Sequence, residues 1–272
     1  MAEFFNRQWR LPNNENKAKQ SNYSMDFDSA SSDYIDVGND SSLSPTSQLS
    51  VSAWVNNTGA GAGSFPCIIS NVSSSSNNGG FTLVKNSNKW KFYLDTTGSS
   101  GWATAESNGT VVSNSWQHLC VTWDGSTVIM YLNGQAQTAS ASASQIVYNA
   151  DTETIIGEYA ASYFQGKIDA VAIYNYALSA SQVTTLYGSS STGIGNPMSL
   201  SPKPVATYNL GDQDAFNGAS YLTPNASLKD FVFDFPIAEQ SVDISNNFEN
   251  YTEMSLSTWV NFNNFSGYQY VF

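Results

Sequence analysis

Five carboxylates, Asp26, Asp28, Asp33, Asp36 and Asp40, fall within one short stretch that holds no lysine or arginine. An oxygen-rich acidic loop of that kind suits Ca²⁺, a hard cation that takes carboxylate and carbonyl oxygens. Two tryptophans are placed for different chemistry. Trp90 lies in the run KWKFYLD beside Asn86 and Asn88, and Trp102 follows the Gly-Ser run TTGSSG, so both are expected at a loop rim. There an aromatic ring stacks on the C–H face of a sugar while Asn side chains bind its hydroxyls. Bond-breaking chemistry is poorly supplied. The one histidine, His118, sits in the strand-like run WQHLCVTW without a G-x-S-x-G elbow, and a structural role is expected for it. The GAGAG run at 59–63 lacks the lysine and following helix of a phosphate loop and reads as a turn. Asp151 and Glu153 would share one face of a strand, but the residues leading to Glu158 break that spacing.

The 272 residues are 41% hydrophobic and 14% aromatic, enough to fill a core, yet only 12% charged. Ser (42) and Asn (28) carry the solubility instead, which suits a virion or extracellular β protein. Beyond residue 20 there are 6 basic against 20 acidic side chains, within an overall net charge of -12. That balance excludes a nucleic-acid face, which needs clustered cations against phosphate. No apolar run approaches the roughly 18 residues of a membrane span, and the opening 20 residues hold no secretory hydrophobic region. Cys67 and Cys120 are the only cysteines, read as two buried free thiols or as one disulfide.

The elements that must position these residues are short strands. LSVSAWV (49–55), FPCIIS (65–70), GFTLV (80–84) and KWKFYLD (89–95) are rich in β-branched and aromatic residues and bounded by turn formers. Asp124-Gly125 and Asn133-Gly134 suit type I′ turns, which predicts an antiparallel meander around STVIMYL. One helix is expected: Ser179 and Gln182 form a capping box between Leu178 and Val183, and Gly188 ends it. Trp54, Trp123 and Tyr174 fall inside strand patterns and are expected in the core.

After Gly188 the run SSSTGIGNP reads as a linker, and then the earlier sequence returns. Residues 231–260 match 25–55: Phe233-Asp234 answers Phe27-Asp28, Val242-Asp243-Ile244 answers Ile35-Asp36-Val37, and Trp259 answers Trp54. The second copy reaches Phe272 with most of its strands still to come, so the chain is expected to be a fragment of a longer protein. The organisation read from the sequence is an N-terminal arm (1–20), a complete domain (21–190), a linker (191–228) and the start of a second copy (229–272).

Five strings, in order, resemble the laminin-G-like jelly roll of the concanavalin A-like lectin and glucanase superfamily. They are MDFDSASSDYIDVG (25–38), LSVSAWV (49–55), SWQHLCVTWDGSTVIMYLNG (115–134), TIIGE (154–158) and YFQGKIDAVAIYNYALSASQVTTLYG (163–188). The resemblance implies an all-β fold, a two-sheet antiparallel β-sandwich with one short C-terminal helix, followed by the partial second copy. It further implies a structural calcium joining the N-terminal strand to the penultimate one. Asp169 of GKIDAVAIY would be a ligand and Asp28 or Asp33 its partner; the alternative is that Asp169 caps or hydrogen-bonds a neighbouring loop. Relatives that hydrolyse glucans carry Glu, Asp and Glu alternating on one strand, a run missing here, so no enzyme is expected. The function implied is that of a non-catalytic carbohydrate-binding or adhesion module, whose partners would be glycans or a host surface and other virion or surface-protein subunits. A structural or assembly virion protein without glycan binding is the alternative, and a glycoside hydrolase comes third. The opening FFNRQWRLPNNENKAKQSNYSMDF is similar to structural proteins of marine bacteriophages, which implies a virion or extracellular location.

Overall fold

A computed structural model describes residues 24–188, 194–210 and 214–216; the arm expected at 1–20 and the second copy at 229–272 lie outside them. One sheet holds β1 (Met25–Phe27), β3 (Leu49–Asn57), β8 (Trp116–Trp123), β9 (Thr127–Leu132) and β15 (Gly166–Tyr174), with the short β10 (Gln135–Ala136), β11 (Ala141–Ser142), β16 (Ala206–Asn209) and β17 (Asp214–Phe216). Its order is β10-β9-β8-β3-β15-β16-β17, with β1 also on β15 and β11 on β9. The second holds β2 (Ile35–Gly38), β4 (Cys67–Ser73), β5 (Phe81–Asn86), β6 (Lys89–Asp95), β7 (Trp102–Glu106) and β12 (Thr152–Ile156), ordered β2-β12-β4-β5-β6-β7. A small hairpin of β13 (Glu158–Tyr159) and β14 (Ser162–Tyr163) and one helix, α1 (Ala180–Tyr187), complete the description.

Strand alternation builds the core. Successive side chains point to opposite faces, so Leu49, Val51, Ala53 and Val55 of β3 face inward and meet Phe81, Leu83, Trp90, Phe92 and Leu94 of the second sheet in one cluster. The expected jelly-roll sandwich is what forms. Trp123 and Tyr174 are buried as expected, but Trp54 is only partly so. It has the opposite parity to the core residues of β3 and lies on the outer face, stacked on Tyr187 of α1 at 5.6 Å. Both cysteines are free and buried, which closes the disulfide alternative.

Local expectations hold at the helix and divide at the turns. Ser179 caps α1 and the reciprocal bond from its amide to Gln182 Oε1 is 2.9 Å. Asn133 and Gly134 both have positive φ, 51° and 76°, as a type I′ turn requires. Asp124-Gly125 forms a different turn, because only Gly125 is left-handed and the Asp124 carboxylate takes the amides of Ser126 and Thr127 at 2.9 and 2.7 Å. The Asp side chain takes the Thr127 amide, while the Asp124 amide still donates to the Thr127 carbonyl at 3.3 Å.

The expected linker is corrected too. Within 191–228, β16 pairs with β15, Val171 opposite Tyr208 and Ile173 opposite Ala206, and Ala206, Tyr208 and Leu210 enter the core. Apolar alternation in three residues is too short to declare a strand by itself. The free edge of β15 supplies the missing backbone partners.

Two outer faces remain. That of the first sheet is covered where Val183 and Leu186 of α1, with Leu178 and Leu200, pack on Cys120, Tyr131, Ala172 and Tyr174. That of the second sheet carries, among the described residues, the β13–β14 hairpin, anchored over β4 by the Ser70 hydroxyl donating to the Glu158 carbonyl at 2.8 Å; Thr82 and Val84 of β5 are buried there, and Lys89, Lys91 and Tyr93 of β6 stay partly exposed.

Candidate functional site

On β6 the buried residues Trp90, Phe92 and Leu94 alternate with the partly exposed Lys89, Lys91 and Tyr93. The second set therefore stands on the open outer face. Tyr93 lies opposite Thr82 of β5 and Thr104 of β7. Around it four partly exposed rings from separate segments pack edge to face. Trp102 meets Tyr93 with centroids 6.2 Å apart at 79°, Tyr93 meets Phe65 at 6.1 Å and 90°, and Phe65 meets Tyr159 at 6.2 Å and 72°. Edge-to-face contacts of this kind hold each ring's orientation. The Tyr159 hydroxyl donates to the Asn77 carbonyl, fixing the far end of the row.

One end of this face is charged. Glu106 of β7 receives Lys89 Nζ at 2.5 Å and Lys91 Nζ at 3.3 Å. The hydrogen bond from Lys89, opposed in part by burial and helped by Lys91, holds the Glu106 carboxyl below the usual carboxylate range. The other end is a polar rim organised by Asp95. Its buried carboxylate accepts the amides of Gly79, Thr97, Gly98, Ser100 and Gly101 and the Thr97 hydroxyl, at 2.8 to 3.1 Å. Burial pushes that carboxyl up, but the amides of Thr97, Gly79 and Ser100 outweigh it and the result is a lowered value. Gly80 locks the same rim: its φ is +64°, and a Cβ there would collide with the Asn71 carbonyl.

The residues expected at a rim are redistributed. Trp90 is a correction: it is fully buried, with its indole N–H donating to Gln117 Oε1 at 3.1 Å, because it shares the parity of Phe92 and Leu94. Trp102 does reach the open face. Asn86 and Asn88 sit at the β5–β6 turn, where Ser87 and Asn88 have φ of 50° and 60°. Register puts that turn at the opposite end of β6 from Trp102, which pairs with Asp95. The three do not converge. Tyr93, Phe65, Tyr159, Lys91 and Glu106 were missed; the alternation in KWKFYLD signals Tyr93 and Lys91, while nothing local signals Phe65 or Tyr159.

Nor do the expected calcium ligands meet. Asp28 and Asp33 serve their own loop, the Asp28 amide donating to Asp33 Oδ2 and the Ala30 amide to Asp28 Oδ1, both at 3.0 Å. Met25 of β1 pairs with Ile168, so Asp169 is level with residue 24, four positions from Asp28 and about 13 Å along the strand. Asp169 instead sits at a bulge in β15, where its Oδ1 accepts the Ala170 amide and Ala170 has φ 47°. Among the described residues no three His, Cys, Asp or Glu side chains are grouped to hold a metal. Asp28, Asp33 and Asp169 do not fit a shared ion.

Glu158 and Glu106, two carboxylates at this face, are not arranged as an acid–base pair. Glu158, raised by burial, turns back on the Ala161 amide at 2.6 Å, and Glu106 is held between two lysines on β7. With β5 and β6 separating β4 from β7, the two carboxylates belong to opposite sides of the face. Glycosidase pairs need carboxyl groups within about 5 to 9.5 Å of each other. His118 is buried and pushed down to about 3, so its ring is neutral, with Nε2 2.9 Å from the Ser52 hydroxyl. It is a structural histidine.

Fold and open face together define a lectin-type β-sandwich. Residues 28–184 match the laminin-G pattern of the concanavalin A-like lectin/glucanases superfamily, and the chain belongs to that family. No curated protein matches it in sequence. Its fold is similar to that of a putative carbohydrate binding protein from Bacteroides ovatus, at 16% identity and a TM-score of 0.50, covering 68% of this chain and 50% of that one. The chain thus spans half the length of that protein. It is also similar to Domain 4 of AbnA, a GH43 extracellular arabinanase from Geobacillus stearothermophilus, in complex with arabinotriose. The identity there is 23%, the TM-score 0.42, and the match covers 53% of this chain and 68% of that one. The Ruminococcus gnavus IT-sialidase CBM40 bound to α2,3 sialyllactose is similar at 13% identity and a TM-score of 0.48, over 61% and 96% of the two chains. At such identities the likeness is one of fold.

Proposed function

We propose that this chain is a non-catalytic carbohydrate-binding module whose ligand lies across the outer face of the second sheet, along β6. The row of four partly exposed rings, Trp102, Tyr93, Phe65 and Tyr159, carries the reading. Such rings offer apolar faces to sugar C–H groups, while serine and threonine hydroxyls of the adjoining rim take sugar hydroxyls. Neighbouring rings of the row lie 6.1 to 6.2 Å apart. Catalysis is disfavoured because Glu106, Glu158 and Asp95, the carboxylates nearest the aromatic row, already have partners. The description of the Bacteroides ovatus neighbour as a putative carbohydrate binding protein agrees with this reading.

The test is a glycan array probed with the intact chain and with Tyr93→Ala and Trp102→Ala. Both substitutions are expected to weaken binding by about tenfold or more, as loss of a central aromatic contact does, with folding checked by circular dichroism. Unchanged binding in both variants would move the site elsewhere.

A further inference from the structure

Resting on that glycan-binding reading, we infer that the ligand is an anionic oligosaccharide, bearing a carboxylate or sulfate that is held by Lys89 and Lys91. The carboxylates nearest the aromatic row already have partners. Glu106 is engaged by the two lysines, Glu158 by the Ala161 amide, and Asp95 by amides of two loops. Each of these three carboxylates already spends at least one oxygen inside the protein, which leaves fewer acceptors for the sugar hydroxyls that acidic side chains commonly grip in neutral sugars.

Donors, by contrast, are in surplus. An ammonium carries three N–H groups and no acceptor, and Glu106 occupies one from Lys89 and approaches one from Lys91. Two cations against one anion leave a local excess of positive charge. It stands out against the rest of the molecule, which has a net charge of -12. The described residues include five lysines and no arginine. Three of those lysines are elsewhere: Lys85 is tied to Asn57 Oδ1 and the carbonyls of Gly59 and Ala60, Lys167 lies on β15, and Lys203 caps the Met198 carbonyl. Among the described lysines, Lys89 and Lys91 share one sheet face with the aromatic row. A partly exposed ion pair contributes little to stability, so stability does not account for two lysines on one glutamate. Glu106 keeps both ammonium groups drawn toward β7, beside Tyr93, where a charged substituent of a stacked sugar would lie.

Calorimetry on the whole chain in low salt tests this with three probes: tetragalacturonate, a sulfated carrageenan tetrasaccharide and the neutral cellotetraose. At least one anionic probe is expected to bind, with affinity falling as NaCl is raised. The double variant Lys89→Gln/Lys91→Gln should lose on the order of tenfold or more. Glu106→Gln should bind the anion more tightly, since it removes a competing charge without removing the lysines. A purely structural role for the triad would not produce that gain. Which of uronate and sulfate binds assigns the anion. If the neutral probe binds as well as the anionic ones, and loses affinity in Tyr93→Ala but not in the lysine variant, the inference is overturned and the glycan reading stands. If no oligosaccharide on a broad array binds, both fall.

Discussion

Asp95 shows how one side chain can build a binding rim without touching a ligand. Five amides and a hydroxyl converge on it, so Asp95→Asn, which replaces an acceptor with a donor, should cost about 2 kcal/mol or more, measured by urea unfolding. The sign of its pH dependence follows from its lowered carboxyl. The stabilisation is fully present above the unfolded value near 4 and is lost as pH falls through the lower folded value. His118 acts in a higher window. Burial keeps it neutral with a value pushed down to about 3, whereas in the unfolded chain it protonates near pH 6.5. Stability should therefore fall by up to about 1.4 kcal/mol per pH unit below about pH 6.5. His118→Gln should flatten that slope in unfolding curves taken between pH 4 and 7. A histidine inside an apolar run is legible as structural. The convergence on Asp95 is not, because its donors come from two loops, and Gly79 precedes it by sixteen residues.

Among the elements, β16 and β15 decide the most. A chain ended at Lys203 loses Ala206, Tyr208 and Leu210 from the core and uncovers part of the β15 edge. Its melting midpoint should drop by more than about 5 °C relative to a chain ended at Asp230, read by calorimetry. EDTA should leave the midpoint of the full chain unchanged. The β15 bulge separates the strand partners β1 and β16 and consumes an Asp169 oxygen on the Ala170 amide. Sequence pattern anticipated β3, β6, β9 and α1 well, because their alternation and capping chemistry are local. It misplaced Trp54 and Trp90 through parity, which each strand in fact displays: each tryptophan's face is set by neighbours two residues away. The Asp124-Gly125 turn and the linker at 191–228 went wrong for another reason. A side-chain cap and an unpaired sheet edge competed with the local preference and prevailed.

The whole chain divides into two compact units, 1–230 and 231–272. The first should unfold as its own cooperative body, so a chain ended at Asp230 is expected to melt at the same temperature as the full 272 residues in calorimetry. A lower midpoint would mean that the repeat following it supports the first sandwich. What the sequence by itself determined was the family, the sandwich and the capped helix. These depend on periodicity and turn chemistry, which are properties of neighbouring residues. Only the tertiary structure decided that α1 packs on one outer face while β6 of the other stays partly exposed, and that Phe65, Tyr93, Trp102 and Tyr159 meet there beside Lys89, Lys91 and Glu106. It also decided that Asp28, Asp33 and Asp169 stay apart. The physical reason is strand register: residues far apart in the chain become neighbours through backbone pairing, and a shift of a single residue would send each of them to the opposite face.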